Sequence, residues 1–171
     1  NMQTDSWGPH AWETLHHISF GSPVTLDADD KHNYKQMINS LRCVAPCSLC
    51  RSAFGELLNY INIDDYIDTR EGLCFWVFVI HNLVNRKLDK PLETFANVIY
   101  KYENMRARCG RKDNKKEYEK CKANLKEFPM SQAKKDAKRI NKKYKEITTQ
   151  HIFNYYYSDK ILDPKFQKCS V

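Results

Sequence analysis

From residue 73 to residue 83 the chain is apolar at every position except His81 and Asn82. A segment of that kind cannot turn any side to water, so the remaining chain has to be built around it. Its β-branched and aromatic residues leave a buried strand open. A helix over residues 70–89 is the better reading, because it puts Phe78, His81, Asn82 and Asn85 on one face, and Pro91 marks its end.

The flanking segments read the same way. Pro9 suits the first turn of a helix reaching about Phe20, with Trp12, Leu15, His16 and Ser19 on one face and Gly21, Ser22 and Pro23 as its stop. Asp29 and Asp30 offer an N-cap for a helix to about Arg42, striped by Tyr34, Met37, Ile38 and Leu41. Pro46 opens a third helix through Cys47, Cys50, Phe54, Leu57 and Leu58. Residues 59–68 form a polar connection with room for a turn of helix. A helix over residues 91–108 turns Phe95, Val98, Ile99 and Tyr102 inward, and Gly110 suits the position that closes it. Glycine is scarce and no glycine-rich strand–turn–helix unit occurs. The fold class is all-α.

Beyond Gly110 the character changes. Residues 109–145 hold 14 Lys and Arg against 5 Asp and Glu, while residues 146–171 balance and the first 108 are net negative by two. Two charged helices, over 111–127 and 131–147, flank Pro129. Tyr155, Tyr156 and Tyr157 begin an aromatic tail ending in Cys169. The chain thus divides into a helical unit over 1–110 and an appended basic helical segment over 111–171. That segment suits nucleic acid through residues 111–145, or an acidic partner, or merely a solvated helix face. No run approaches the ~20 apolar residues of a membrane span, and no secretory signal segment is visible.

Three of the seven cysteines crowd into eight residues. Cys47 and Cys50, at i and i+3 of a helix start, can close a disulfide across one turn. Unsatisfied backbone N–H groups and the positive end of the helix dipole lower a thiol pKa there. A zinc half-site and a pair of packed thiols stay open for C-x-x-C alone. With Cys43 the spacing is also that of a three-cysteine iron–sulfur cluster, for which the chain lacks the larger α/β barrel. A zinc site would need a fourth ligand, with His81 as the candidate.

Two further constellations carry polar chemistry. His81, Asn82 and Asn85 gather at the end of the apolar helix, followed by Lys87 and Lys90. Burying such groups requires partners, which a polar ring system with a pyrophosphate supplies. A helix crossing from core to solvent gives the same pattern. In Trp7-Gly8-Pro9-His10-Ala11-Trp12, followed by Leu15 and His16, Trp12 and His16 lie one turn apart and make an aromatic, hydrogen-bonding wall. Core packing is the plain alternative.

Together and in this order, the three segments resemble the Erv/ALR sulfhydryl oxidase family. Its W-G-x-x-x-W…L-H start, C-x-x-C pair and H-N-x-V-N-x-x-L-x-K stretch appear as Trp7-Gly8…Trp12…Leu15-His16, Cys47 and Cys50, and His81-Asn82…Lys90. The match covers about residues 7 to 105 and is most like the compact members from large DNA viruses. The resemblance implies a four-helix bundle with a short fifth helix cradling FAD, and usually a homodimer. Gly8, His10, Trp12 and His16 would line the flavin site. His81, Asn82, Val84, Asn85, Lys87, Leu88 and Lys90 would hold the rest of the cofactor, with no metal. Cys50 would face the flavin and Cys47 would face outward to meet the thiolates of protein dithiol substrates. Electrons would pass to FAD and then to O2, giving H2O2. A cytoplasmic setting, in a host cell or virion, follows from the viral kinship.

One departure stands out. Many members carry a structural C-x16-C disulfide, and Phe78 and Phe95 occupy the equivalent positions, where an aromatic contact of similar volume can substitute. Cys109 and Cys121 are candidates for a shuttle pair or for a structural disulfide, with Cys169 as a single-cysteine shuttle. Cys74 reads as a buried inert thiol. The alternative from another class is a zinc module using Cys43, Cys47 and Cys50, with the basic segment gripping nucleic acid.

Overall fold

The computed structural model describes residues 1–110 and 113–157. Among these, seven helices follow in order: α1 (Thr4–Gly21), α2 (Ala28–Val44), α3 (Ser48–Tyr60), α4 (Arg70–Lys87), α5 (Phe95–Met105), α6 (Lys115–Ala123) and α7 (Met130–Tyr157), with a 3-10 turn at Ile63–Asp65. Cys169 lies outside the described residues. The pairing of Thr25 with Thr69 is an isolated bridge. The all-α reading holds.

α4 is the axis of the fold, as its apolar run demands. Leu73 to Val77, Val79, Ile80 and Leu83 are buried on every side of the helix, and α1, α5 and α7 lie against it. Its largest side chain, Trp76, spends its single donor on the Ile61 carbonyl at 2.9 Å, so burying it leaves nothing unpaired. Thr69 caps the start, accepting from the Gly72 N–H at 3.2 Å. At the other end Asp89 takes a left-handed conformation (φ 53°). The Lys90 N–H then reaches the Asn85 carbonyl at 2.8 Å and the Asp89 N–H reaches that of Arg86 at 3.2 Å. This closes the last carbonyls of α4. It also turns Lys90 toward the start of α1, where its ammonium meets Asp5 Oδ1 at 2.9 Å.

Several boundaries differ from the sequence reading, each for a local reason. α1 begins at Thr4, so Pro9 sits inside it. The extension loses the one backbone bond that proline cannot make and brings Gly8 into the interior. α2 is capped by Asp27, not by Asp29 or Asp30. The Asp27 carboxylate accepts from the Asp30 N–H at 2.9 Å and Asp30 returns the bond, a reciprocal capping box. α5 starts at Phe95 because Asn82 holds the preceding loop: its amide donates to the Glu93 carbonyl at 2.9 Å and accepts from the Glu93 N–H at 3.0 Å.

The largest difference lies at the C-terminal end. Tyr155, Tyr156 and Tyr157 are not a tail but the last turn of α7. Ala133, Ile140, Tyr144 and Thr148 recur at helical spacing on one buried face, and Ile152 and Tyr155 continue it against the core. Ala133, Ile140 and Tyr144 belong to the same hydrophobic cluster as Leu15, Trp76 and Tyr102. Polar bonds fix the docking: Tyr66 Oη and Thr148 Oγ1 are 2.7 Å apart, and His151 Nε2 meets Asp65 Oδ2 at 3.0 Å. α6 buries no residue and is tied to the end of α5 by a Cys109–Cys121 disulfide.

Phe78 and Phe95 do meet, their ring centroids 4.9 Å apart. Cys74 is buried, which pushes its thiol up to about 12. No helix among the described residues is long and apolar enough to cross a membrane.

Candidate active site

Cys47 and Cys50 are joined as a disulfide with their Cα atoms 5.1 Å apart. Pro46 ends the preceding extended stretch, and Cys47 becomes the N-cap of α3. Its sulfur accepts from the Cys50 N–H at 3.2 Å, the role a serine oxygen commonly plays. A thiolate at that sulfur is favoured by the same donor and by the helix dipole. Thr4, first residue of α1, puts its hydroxyl 3.7 Å from Cys50 Sγ. Cys50 therefore faces the helix that carries Trp7, Trp12 and His16. Cys47 is only 9% exposed and is the more buried of the two. The outward role expected for it is thus not visible in exposure.

Further along α1 an aromatic stack joins three helices. The Trp12 ring lies flat on His81 of α4, centroids 4.4 Å apart and planes 7° from parallel. His16 Nε2 is 3.1 Å from His81 Nδ1, and Tyr102 of α5 stacks on His16 at 4.9 Å. Desolvation, followed by the neighbouring His81 and by Lys101, holds His16 down to about 3. Desolvation, with Lys101 and Lys90, holds His81 down to about 4. Both rings are neutral at physiological pH, so each offers one donor and one acceptor.

Two buried polar atoms, Trp7 Nε1 and His16 Nδ1, have no hydrogen-bond partner among the described residues. Buried polar atoms of this sort are normally satisfied. A flat heterocycle with polar edges would satisfy both, and the Trp12–His81 stack supplies a matching flat wall. The residues fit a flavin ring. Lys90 and Lys101 set positive charge close enough to act on His81, which suits a pyrophosphate.

The other residues singled out from sequence lie on α1, on α4 or just after α4. Gly8 is buried and Asn85 nearly so. Val84 is half-buried, while His10, Lys87 and Leu88 are exposed. Asn82 is committed to the Glu93 backbone, so it shapes the loop after α4. Lys90 pairs with Asp5. Sequence reasoning missed Tyr102, taken as core, and Lys101, whose ammonium lies 5.1 Å from the Tyr102 ring centroid. The spacing of Tyr102 carried a signal, since Val98, Ile99 and Tyr102 share a helical face; Lys101 carried none. The zinc alternative loses its main ligands, because Cys47 and Cys50 are bonded to each other. No group of three or more metal-binding side chains occurs among the described residues.

The neutral pair has a measurable consequence. Both folded-state pKa values lie below 6.5, so the unfolded chain takes up protons that the folded chain refuses as pH falls through about 6.5. Stability is full above that pH and declines toward the folded values of about 4 and 3. Between pH 7 and pH 5, above the range of the paired carboxylates, thermal unfolding should show a loss of about 2 kcal/mol or more. A His16→Gln, His81→Gln double variant should flatten this slope. An unchanged slope in that variant would show that these rings do not control it.

A family model described as the Erv1/Alr family matches residues 9–108. A protein of Acanthamoeba polyphaga mimivirus named "Probable FAD-linked sulfhydryl oxidase" is 34% identical over 99 residues, covering 57% of this chain and 69% of that protein. The mitochondrial FAD-linked sulfhydryl oxidase of Saccharomyces cerevisiae is 32% identical over 85 residues, covering 49% of this chain and 43% of its own length. A FAD-linked sulfhydryl oxidase of African swine fever virus is 28% identical over 98 residues, with 57% of this chain and 80% of that protein covered. The crystal structure of the yeast Erv1 core superposes with a TM-score of 0.57 at 23% identity, over 63% of this chain and 89% of that one. At that identity the likeness speaks for the fold.

Proposed function

The chain belongs to the Erv1/Alr family, and from that premise we propose that it is an FAD-dependent thiol oxidase working through Cys47 and Cys50. The observation that carries this reading is the placement of a disulfide at the start of α3 against Thr4 of α1, the helix that also builds the Trp12–His16–His81 stack.

A substrate thiolate attacks the disulfide at Cys47, and Cys50 leaves as the thiolate. A second substrate thiol resolves the mixed disulfide at Cys47, and the client leaves oxidised, with its two electrons now on the Cys47–Cys50 pair. Bound FAD would accept those electrons as the pair closes again and deliver them to O2, giving H2O2. The chain's share is position and charge. Trp12 and His81 offer a flat wall, His16 and Trp7 offer unspent polar atoms, and Lys90 and Lys101 offer countercharge. His10, Asn85, Val84, Lys87 and Leu88 border the same region in this reading. Cys50 is assigned to the flavin side by its contact with α1, and Cys47 to the client by exclusion.

A homodimer belongs to the same reading through the family resemblance, and a cytoplasmic setting through the viral kinship. Cys109 and Cys121, bonded at the junction of α5 and α6, fit a structural tie. The test is the visible spectrum of the purified chain together with oxygen uptake on adding a dithiol. A flavin spectrum and dithiol-dependent uptake are expected. A colourless protein without uptake, to which FAD cannot be restored, would overturn the reading.

A further inference from the structure

The oxidase reading makes no use of the outer face of α7. At about 100° of rotation per residue, Lys134, Lys138, Lys142, Lys145 and Lys135 all fall within an arc of about 100°. That arc starts beside Thr148 and Ile152, at the edge of the buried stripe, and runs away from Ala133, Ile140 and Tyr144. The five lysines are exposed, and no ion pair among the described residues engages any of them. They extend over about 17 Å of a straight helix. Arg139 lies about 40° outside the arc and its partner Asp136 about 100° outside it, and Glu146 sits only at the margin of the arc.

Exposed rings continue the same face. Phe153 and Tyr156 fall within the arc of the lysines, and Tyr157 lies about 40° outside it, level with Arg139. Their exposures are 54%, 43% and 72%. Three large aromatics in water on one helix end are unusual unless something covers them. The Arg86 guanidinium stands 5.1 Å over the Tyr156 ring centroid, adding a cation beside the rings.

We propose that this face of α7 binds single-stranded nucleic acid, its lysines along the phosphates and its rings against unpaired bases. A row of cations followed by open aromatic faces is the combination by which unpaired strands are held without reading their sequence. An acidic protein would use the lysines but leave the rings idle. A duplex would do the same, since its bases are stacked on one another. The occupant that uses both halves of the face is an unpaired strand.

The test uses the full chain and a labelled oligothymidylate of about 20 nucleotides, longer than the ≈ 4–16 nucleotides such sites cover. Fluorescence anisotropy is followed over a range of sodium chloride concentrations. Five phosphate contacts predict that log K falls against log salt with a slope of about −3.5. A Lys134→Gln, Lys138→Gln, Lys142→Gln, Lys145→Gln variant should lower the slope to about −0.7. A Phe153→Ala, Tyr156→Ala variant should weaken binding at least about tenfold at every salt concentration with the slope unchanged. Helicity by circular dichroism should stay constant throughout, because all the altered residues are exposed. Absence of binding, equal affinity for a duplex of the same length, or equal competition by polyglutamate would each overturn the proposal. So would a slope that ignores the lysines.

Discussion

Cys50→Ser is expected to cut dithiol-dependent oxygen uptake by roughly three orders of magnitude or more, the scale on which losing a covalent participant acts. The reason lies in the unequal surroundings of the two sulfurs. Cys47 caps α3 and accepts from a backbone N–H, whereas Cys50 touches Thr4 on the helix that carries Trp12 and His16. A serine at position 50 leaves no disulfide for a client thiolate to attack, so nothing can hand on the electrons. The Cys47 thiolate can still attack the disulfide of an oxidised client. Mixed with an oxidised client, that variant should therefore accumulate at Cys47 a mixed disulfide visible by mass spectrometry, the second client sulfur leaving as a thiolate. Cys47→Ser should lose turnover without trapping such an adduct. Adducts forming at Cys50 in preference would reverse the assigned roles, which the burial of Cys47 makes a pointed comparison.

Gly72→Ala is expected to destabilise the fold by about 3 kcal/mol or more, lowering Tm by about 10 °C. In an unconstrained helix the same change would stabilise by up to about 1 kcal/mol, so the sign is decided by packing. A methyl group at Gly72 would lie far inside contact distance of the Tyr66 carbonyl and close against the Tyr144 hydroxyl. The carbonyl belongs to the backbone of a residue only 1% exposed and cannot swing away. The start of α4, the turn after Asp65 and α7 would all have to shift. Thermal unfolding of the variant with unchanged or raised Tm would contradict this packing.

The parts of the fold that were legible in the sequence are those in which burial dictates composition. The apolar run at residues 73–83 could only be a central element, and it is α4. The first and last motif segments meet in the Trp12–His81 and His16–His81 contacts, Thr4 of α1 reaches Cys50, and the rings of Phe78 and Phe95 are in contact. What escaped was information carried by distant partners. Asn82 looks like a cofactor ligand until Glu93 is found on its amide. Tyr102 looks like core until it stacks on His16. Lys101 is one more surface lysine until the neutral histidines lie beside it. The true extent of α7 was available but overlooked. Ile140, Tyr144, Thr148, Ile152 and Tyr155 keep one helical stripe, which the strong charge of the neighbouring positions and the run of three tyrosines concealed.

The proposed oxidase activity depends on the transfer of electrons from the Cys47–Cys50 pair to a flavin held beside α1. Its most direct measurement is anaerobic mixing of the purified, flavin-loaded chain with a stoichiometric dithiol while the visible flavin band is followed. The native chain should bleach within seconds of mixing, and the colour should return when oxygen is admitted. Cys50→Ser, loaded with the same flavin, should keep its colour while the dithiol is present. Bleaching of that variant at the native rate would mean that electrons reach the flavin by another route, and the role given to the pair would be wrong.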